Sequence, residues 1–190
     1  MLLIQLTGLS GSGKTTIANG VKKLLVQKDY RVEIIDGDVY RKILCPDLGF
    51  SKEDRNENIR RLGFVANVLA THGVIAILAA INPYESIRQE LQQYGTHVKT
   101  IWINCDIETL IKRDTKQLYR KAMLPDDDPG KVKNLTGIND PYEAPQNPDL
   151  IIDTHLESER GSIEILYSFI LKNLPVLFSI VPLLDMLMAD

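Results

Sequence analysis

Cysteine is scarce: Cys45 and Cys105 are the only two in 190 residues. They lack the spacing of a metal-binding motif, so free buried thiols in a reducing compartment are expected. A basic excess is also missing. The net charge is −3 and the sequence pI about 5.7, which argues against a broad nucleic-acid surface. The first strand begins at Leu2 and leaves no room for a signal peptide ahead of it. A comfortable membrane span is absent too. The tail 174–190 is apolar, but it is short, is broken by Pro175 and Pro182, and lacks the basic face of a surface-bound helix. No stable membrane insertion is expected; a tail packed on the protein or facing another copy is preferred over a membrane-surface contact. Neither an internal repeat nor a linker divides the chain. The expectation is one cytoplasmic domain over 1–173, followed by the tail.

What is present is concentrated at the N-terminus. Gly8-Leu9-Ser10-Gly11-Ser12-Gly13-Lys14-Thr15 fits G-x-x-x-x-G-K-T, with Thr16 following. The apolar run from Leu2 precedes it and a helical pattern follows, the strand–loop–helix context of a P-loop. Glycines let backbone N–H groups turn inward at phosphate oxygens, and the helix N-terminus adds positive potential. Lys14 can reach the β- and γ-phosphates, and the Thr15 hydroxyl can ligate Mg²⁺. ATP and Mg²⁺ are the expected cofactors.

Apolar runs then alternate with helical stripes. Strands are expected at Leu2–Thr7, Arg31–Ile35, Val74–Ala80, Val98–Asn104 and Leu150–Asp153. Helices are expected at Thr15–Gln27, from Ser51 as N-cap to Thr71, at Tyr84–Gln93, Ile107–Lys112 and Ser162–Leu171. This order predicts an α/β P-loop NTPase fold: a parallel sheet with helices on both faces. The stretch from about 114 to 148 is polar, with little apolar periodicity, and reads as a lid that excludes water. Trp102, inside an apolar strand, is expected in the core. His72, His97 and His155 are read as structural or exposed.

Ligands should sit beyond the C-terminal strand ends, where Asp36, Asp38 and Asn82 fall. The two aspartates suit a Mg²⁺ ligand or a carboxylate that takes a hydroxyl proton; in isolation they also suit a turn. Arg41, Arg55, Arg60 and Arg61 suit phosphate or sulfate oxygens, and Arg55 and Asn58 share one helix face. Phe50 either stacks on a base or belongs to the core.

With these residues in view, the chain resembles the adenylylsulfate (APS) kinase family. The resemblance runs from about Leu3 to Asp153. It rests on the Gly8–Thr16 loop, Asp36-Gly37-Asp38 with Arg41, and Leu48-Gly49-Phe50-Ser51 continuing through Asp54-Arg55, Asn58 and Arg61. It also rests on Arg113-Asp114 with Lys116 and Leu118-Tyr119, on Thr136-Gly137-Ile138, and on Pro141-Tyr142-Glu143-Ala144-Pro145. The resemblance implies transfer of a phosphoryl group from MgATP to the ribose 3′-hydroxyl of adenosine 5′-phosphosulfate. It implies that Lys14, Asp36 and Asp38 are catalytic and that Thr15 and Asp36 hold the metal. ATP would be held by Gly8, Ser10, Gly11, Ser12, Gly13, Lys14, Thr15 and Thr16, with Arg113 near its adenine. The acceptor would meet Arg41, Phe50, Arg55, Asn58, Ile81, Asn82, Lys116 and Leu135. A homodimer fits both the family and the tail.

Three departures gather on the acceptor side. Asn82 stands where the family usually has Ser, Glu85 where it commonly has Arg, and Leu135 where it has a second aromatic that sandwiches adenine. They leave open a cytidine diphosphoramidate kinase of capsule biosynthesis as acceptor alternative. A nucleotide-binding regulatory module without turnover is the alternative from another class.

Overall fold

A computed structural model describes residues 2–95, 97–114 and 116–175. Five strands form one parallel sheet: β1 (Leu2–Thr7), β2 (Val32–Asp36), β3 (Ile75–Ala79), β4 (His97–Asn104) and β5 (Leu150–Asp153), in the order β2-β3-β1-β4-β5. All four pairings are parallel. The chain steps one way from β1 to β2 and β3, then crosses to β4 and β5. The switch therefore falls at β1, whose C-terminal end leads into the glycine loop.

β1 is buried along its whole length, and its two faces differ. Leu2, Ile4 and Leu6 enter a core with helix α1 (Lys14–Val26) and helix α7 (Glu159–Asn173). Leu3 joins the opposite core, formed with α3 (Lys52–Thr71) and α4 (Glu85–Gln92). On that second face Gln5 and Thr7 are polar yet fully buried. Both are hydrogen-bonded, as burial demands. Gln5 Nε2 donates to the Arg88 carbonyl and to Thr100 Oγ1, at 3.1 and 2.8 Å. Thr7 Oγ1 donates to the Ile81 and Asn82 carbonyls, at 2.8 and 2.9 Å. A polar seam thus runs beneath the loop after β3.

The expected strands and helices are present with small shifts at their ends. Ser51 caps α3 as anticipated, its Oγ accepting from the Asp54 amide at 3.1 Å. Two short helices, α2 (Gly37–Leu44) and α6 (Leu118–Ala122), complete the set with α5 (Ile107–Arg113). α2 was not expected, because a Gly in its first position hides it. The Asp36 carboxylate starts it, accepting from the amides of Asp38 and Val39 at 2.9 and 3.2 Å. Trp102 is half-buried rather than central, since β4 turns Ile101 and Ile103 into the core instead.

The segment 114–148 corrects the expectation of a polar loop. Tyr119, Ala122 and Leu135 are buried with Cys105 and Leu110 in a small core of their own, edged by Val132 and Ile138. No periodicity announced it, because its members come from separate short segments. Of the apolar tail, only Leu174 and Pro175 lie within the described residues. No described helix is long and apolar enough to cross a membrane.

Ser51→Ala removes the one side-chain cap of the 20-residue helix α3. It should destabilise the protein by about 1 kcal/mol in urea unfolding; an unchanged midpoint contradicts the cap's role.

Candidate active site

The glycine loop is held between two neighbouring strand exits. Gly8 has φ +154°, and a Cβ there would lie 2.3 Å from the Ile103 carbonyl oxygen. Its N–H donates to the Ile81 carbonyl at 3.2 Å. Gly13, at φ +98°, makes the left-handed turn into α1. Both positions require glycine for backbone reasons.

Lys14 folds over this loop. Its ammonium donates to the Gly8 and Leu9 carbonyls at 2.8 and 2.7 Å, with Ser12 Oγ at 3.4 Å. Its pKa is lowered to about 7, chiefly by burial and then by Lys116, with Asp38 and Asp36 acting the other way. The loop oxygens solvate this cation in place of water, as burial requires. Beside it, Thr15 Oγ1 donates to Asp36 Oδ2 at 2.8 Å. A hydroxyl and a carboxylate oxygen in contact, next to a phosphate loop, are a donor set that suits Mg²⁺. Asp36 is fixed by Thr15 and by its capping bonds. Asp38 is exposed and pairs instead with Lys116 of the lid.

A cavity of about 580 Å³ opens over these groups, within the usual size range of ligand sites. Ser10, Gly11, Gly13, Lys14, Thr15 and Thr16 line its floor, with Asp36 and Asp38 beside them. Arg41 from α2, Phe50 from the connection ahead of α3, and Arg55 and Asn58 from α3 form one wall. Ile81 and Asn82 come from the loop after β3, and Lys116 and Leu135 from the lid. Most of the residues singled out from sequence therefore line one cavity; Gly8, Ser12 and Arg113 do not.

Phe50 is exposed, which settles its alternative core reading. The Arg41 and Arg55 guanidinium carbons lie 4.8 and 5.5 Å from its ring centroid, within cation–π range. Arg41 also donates to the Leu48 and Gly49 carbonyls. Arg55 is buried and holds the segment 134–140. Its Nη1 donates to Thr136 Oγ1 at 3.0 Å and its Nη2 to the Asn134 carbonyl at 2.8 Å. Nη2 also pairs with Asp140 Oδ2 at 2.9 Å, while Nε donates to the Phe50 carbonyl at 3.0 Å. Leu135 both lines the cavity and packs in the lid core.

Some expected residues stand back from the cavity. Gly8 and Ser12 have their amides committed within the protein, to Ile81 and Leu9 respectively. Arg113 lies outside the wall and donates to the Thr154 carbonyl at 2.6 Å. Glu85 does not line the cavity. Its carboxylate accepts from Arg88 Nε and Nη2 at 2.9 and 2.6 Å. Arg88 is fully buried and also donates to the Asn82 and Glu143 carbonyls at 2.8 and 2.7 Å. The reversed charge at Glu85 is thus answered internally. Asn82 has φ +47°, a region asparagine tolerates better than serine. Its Nδ2 donates to Gln5 Oε1 at 3.1 Å.

Two contributors were not assigned roles from sequence. Tyr119 donates its hydroxyl to the Ser10 carbonyl at 2.8 Å, tying the lid to the phosphate loop. Burial pushes its phenol up to about 12. Arg88 is the second; nothing in the sequence pattern reveals that it supports both the Asn82 loop and Glu143.

Two predictions follow from these geometries. Phosphates beside Lys14 favour its charged form, so ATP binding should take up about one proton near pH 8, and affinity should fall as pH rises above about 7. Calorimetry in buffers of different ionisation enthalpy measures this; equal uptake by Lys14→Ala contradicts the assignment. Arg55→Lys loses the forked bonds to the lid. Amide exchange at 134–140 should then accelerate on the order of tenfold, and unchanged protection contradicts the latch.

A family model described as adenylylsulphate kinase matches residues 1–153. The probable adenylyl-sulfate kinase of Synechocystis sp. is 48% identical over 160 residues, covering 84% of this chain and 88% of that protein. The probable bifunctional SAT/APS kinase 2 of Sorangium cellulosum is 44% identical over 161 residues; this chain spans only 27% of its length. The solved Mycobacterium tuberculosis APS kinase, in complex with AMPPNP and APS, is 34% identical with a TM-score of 0.79, covering 86% of this chain and 94% of that one. By sequence and by fold, this chain belongs to the adenylylsulphate kinase family.

Proposed function

We infer that this chain transfers the γ-phosphoryl group of ATP to the ribose 3′-hydroxyl of adenosine 5′-phosphosulfate. The observation that carries the reading is the single cavity where Lys14 and Thr15, the Asp36/Asp38 pair and the Phe50–Arg55–Asn58 wall meet. The relatives support adenosine 5′-phosphosulfate over a cytidine nucleotide and over a non-catalytic module. The internal pairing of Glu85 removes one reason to look for another acceptor.

In this reading the loop amides and Lys14 stabilise charge on the β- and γ-phosphates. Thr15 and Asp36 would hold Mg²⁺, which neutralises phosphate charge when bound. Asp38 is the proton acceptor, because Asp36 is committed to its cap and to Thr15. The 3′-oxygen gives its proton to Asp38 and bonds to the γ-phosphorus. The bond from that phosphorus to the β–γ bridging oxygen breaks, and ADP leaves. Lys116 moves from Asp38 toward phosphate oxygens. Phe50 stacks on the acceptor base, and Arg41, Arg55, Asn58, Ile81, Asn82 and Leu135 surround that nucleotide. Arg113, which stands outside the cavity on Thr154, is assigned to the adenine of ATP by the family resemblance alone. A cytoplasmic homodimer belongs to the same proposal and rests on the family resemblance.

The test is ADP release with adenosine 5′-phosphosulfate, cytidine diphosphoramidate and simple nucleoside monophosphates in parallel. Adenosine 5′-phosphosulfate should turn over with kcat/KM of roughly 10⁴ M⁻¹s⁻¹ or more. Activity on the cytidine compound alone would overturn the reading.

A further inference from the structure

Two strands that end side by side bring three kinds of metal ligand together, behind the phosphate loop. β4 and β5 stay in register as far as Asn104 and Asp153, where Asn104 Nδ2 donates to Asp153 Oδ1 at 2.6 Å. Cys105 and Asp106 leave the end of β4, and His155 follows β5 after Thr154. A thiol sulfur, a carboxylate oxygen and an imidazole nitrogen from these three residues lie within 4.8 Å of one another.

Their surroundings orient the donors. Asp106 Oδ1 accepts from the Thr109 amide at 2.7 Å, capping α5. The other oxygen, Oδ2, faces His155 Nδ1 at 3.9 Å, too far for a direct hydrogen bond. The Cys105 sulfur is buried and accepts from Arg113 Nη1 at 3.6 Å. The family match ends at residue 153, before His155.

We propose that Cys105, Asp106 and His155 form a three-ligand site for Zn²⁺. One sulfur, one nitrogen and one oxygen suit zinc, whereas Mg²⁺ takes oxygen ligands. Thiolate and carboxylate together balance the charge of the ion, so the neighbouring Arg113 is not left against a net positive centre. Ligand atoms on a tetrahedral zinc lie about 3.3–3.6 Å apart, given its bond lengths. The three side chains therefore need to close by about 1 Å, and His155 and Asp106 are exposed enough to turn. Water takes the fourth position. The ion joins the exits of β4 and β5 beside Thr154, whose hydroxyl donates to the Ser12 carbonyl at 3.0 Å. Occupancy therefore braces the back of the phosphate loop.

The test titrates the full chain, cleared of metal with a chelator, with a zinc salt alone. Competition against a chromogenic zinc indicator should show one equivalent bound with Kd on the order of micromolar or tighter. Cys105→Ser and His155→Ala should each weaken it by about tenfold or more, and millimolar Mg²⁺ should not compete. Zinc should raise the melting temperature of the native chain and not that of His155→Ala, whose position is exposed and does not endanger folding. Co²⁺ in place of zinc should give a thiolate-to-metal charge-transfer band that Cys105→Ser loses. Absence of stoichiometric binding, or zinc binding that both variants retain, would overturn the site.

Discussion

Gly8 is pinned from two sides. A Cβ there would lie 2.3 Å from the Ile103 oxygen at the end of β4, while its amide is bonded to the Ile81 carbonyl after β3. The phosphate loop is thereby fixed against both neighbouring strand exits. Its carbonyls then face the Lys14 ammonium, and the loop after β3 is brought to the mouth of the same cavity. Beneath that loop lie Gln5 and Thr7, buried polar residues whose bonds reach Arg88, Ile81 and Asn82. One tight backbone contact thus sets donor and acceptor walls in a common frame.

Charge inside that frame is arranged as exchange. Three cations at the cavity each have an internal partner: Lys14 on loop carbonyls, Arg55 on Asp140, and Lys116 on Asp38. An anion that binds any of these three competes with that partner. Arg55 illustrates the consequence. Because it bonds Asn134, Thr136 and Asp140, any anion that draws on this guanidinium also acts on the lid. Tyr119 provides a second tie, from the lid to Ser10. Hydrogen bonds from Arg55 and Tyr119 thus tie the 114–148 segment to α3 and to the phosphate loop.

Much of this was legible in the sequence where local rules apply. The P-loop, the parallel strands and the Ser51 cap each follow from spacing and residue type within a few positions. Phe50, Arg55, Asn58 and Asn82 were identified as site residues and do line the cavity. What the sequence hid depends on contacts distant along the chain. Glu85 and Arg88 are only three residues apart; what stayed hidden is that Arg88 is buried and also holds the Glu143 carbonyl, 55 positions away. The lid read as polar because Tyr119, Ala122 and Leu135 form a core only when brought to Leu110. Arg113 joined the ATP side by resemblance, yet its visible bonds go to Thr154 and Cys105.

The central claim is that a phosphoryl group passes within this one cavity to a ribose 3′-oxygen. The most direct measurement is NMR of the product formed from ATP and adenosine 5′-phosphosulfate, observing ³¹P and ¹H. The account predicts a new phosphorus signal coupled to the ribose H3′, with the 5′-phosphosulfate intact and ADP in equal amount. Inorganic phosphate as the sole new phosphate, or phosphorylation at any other oxygen, would contradict it.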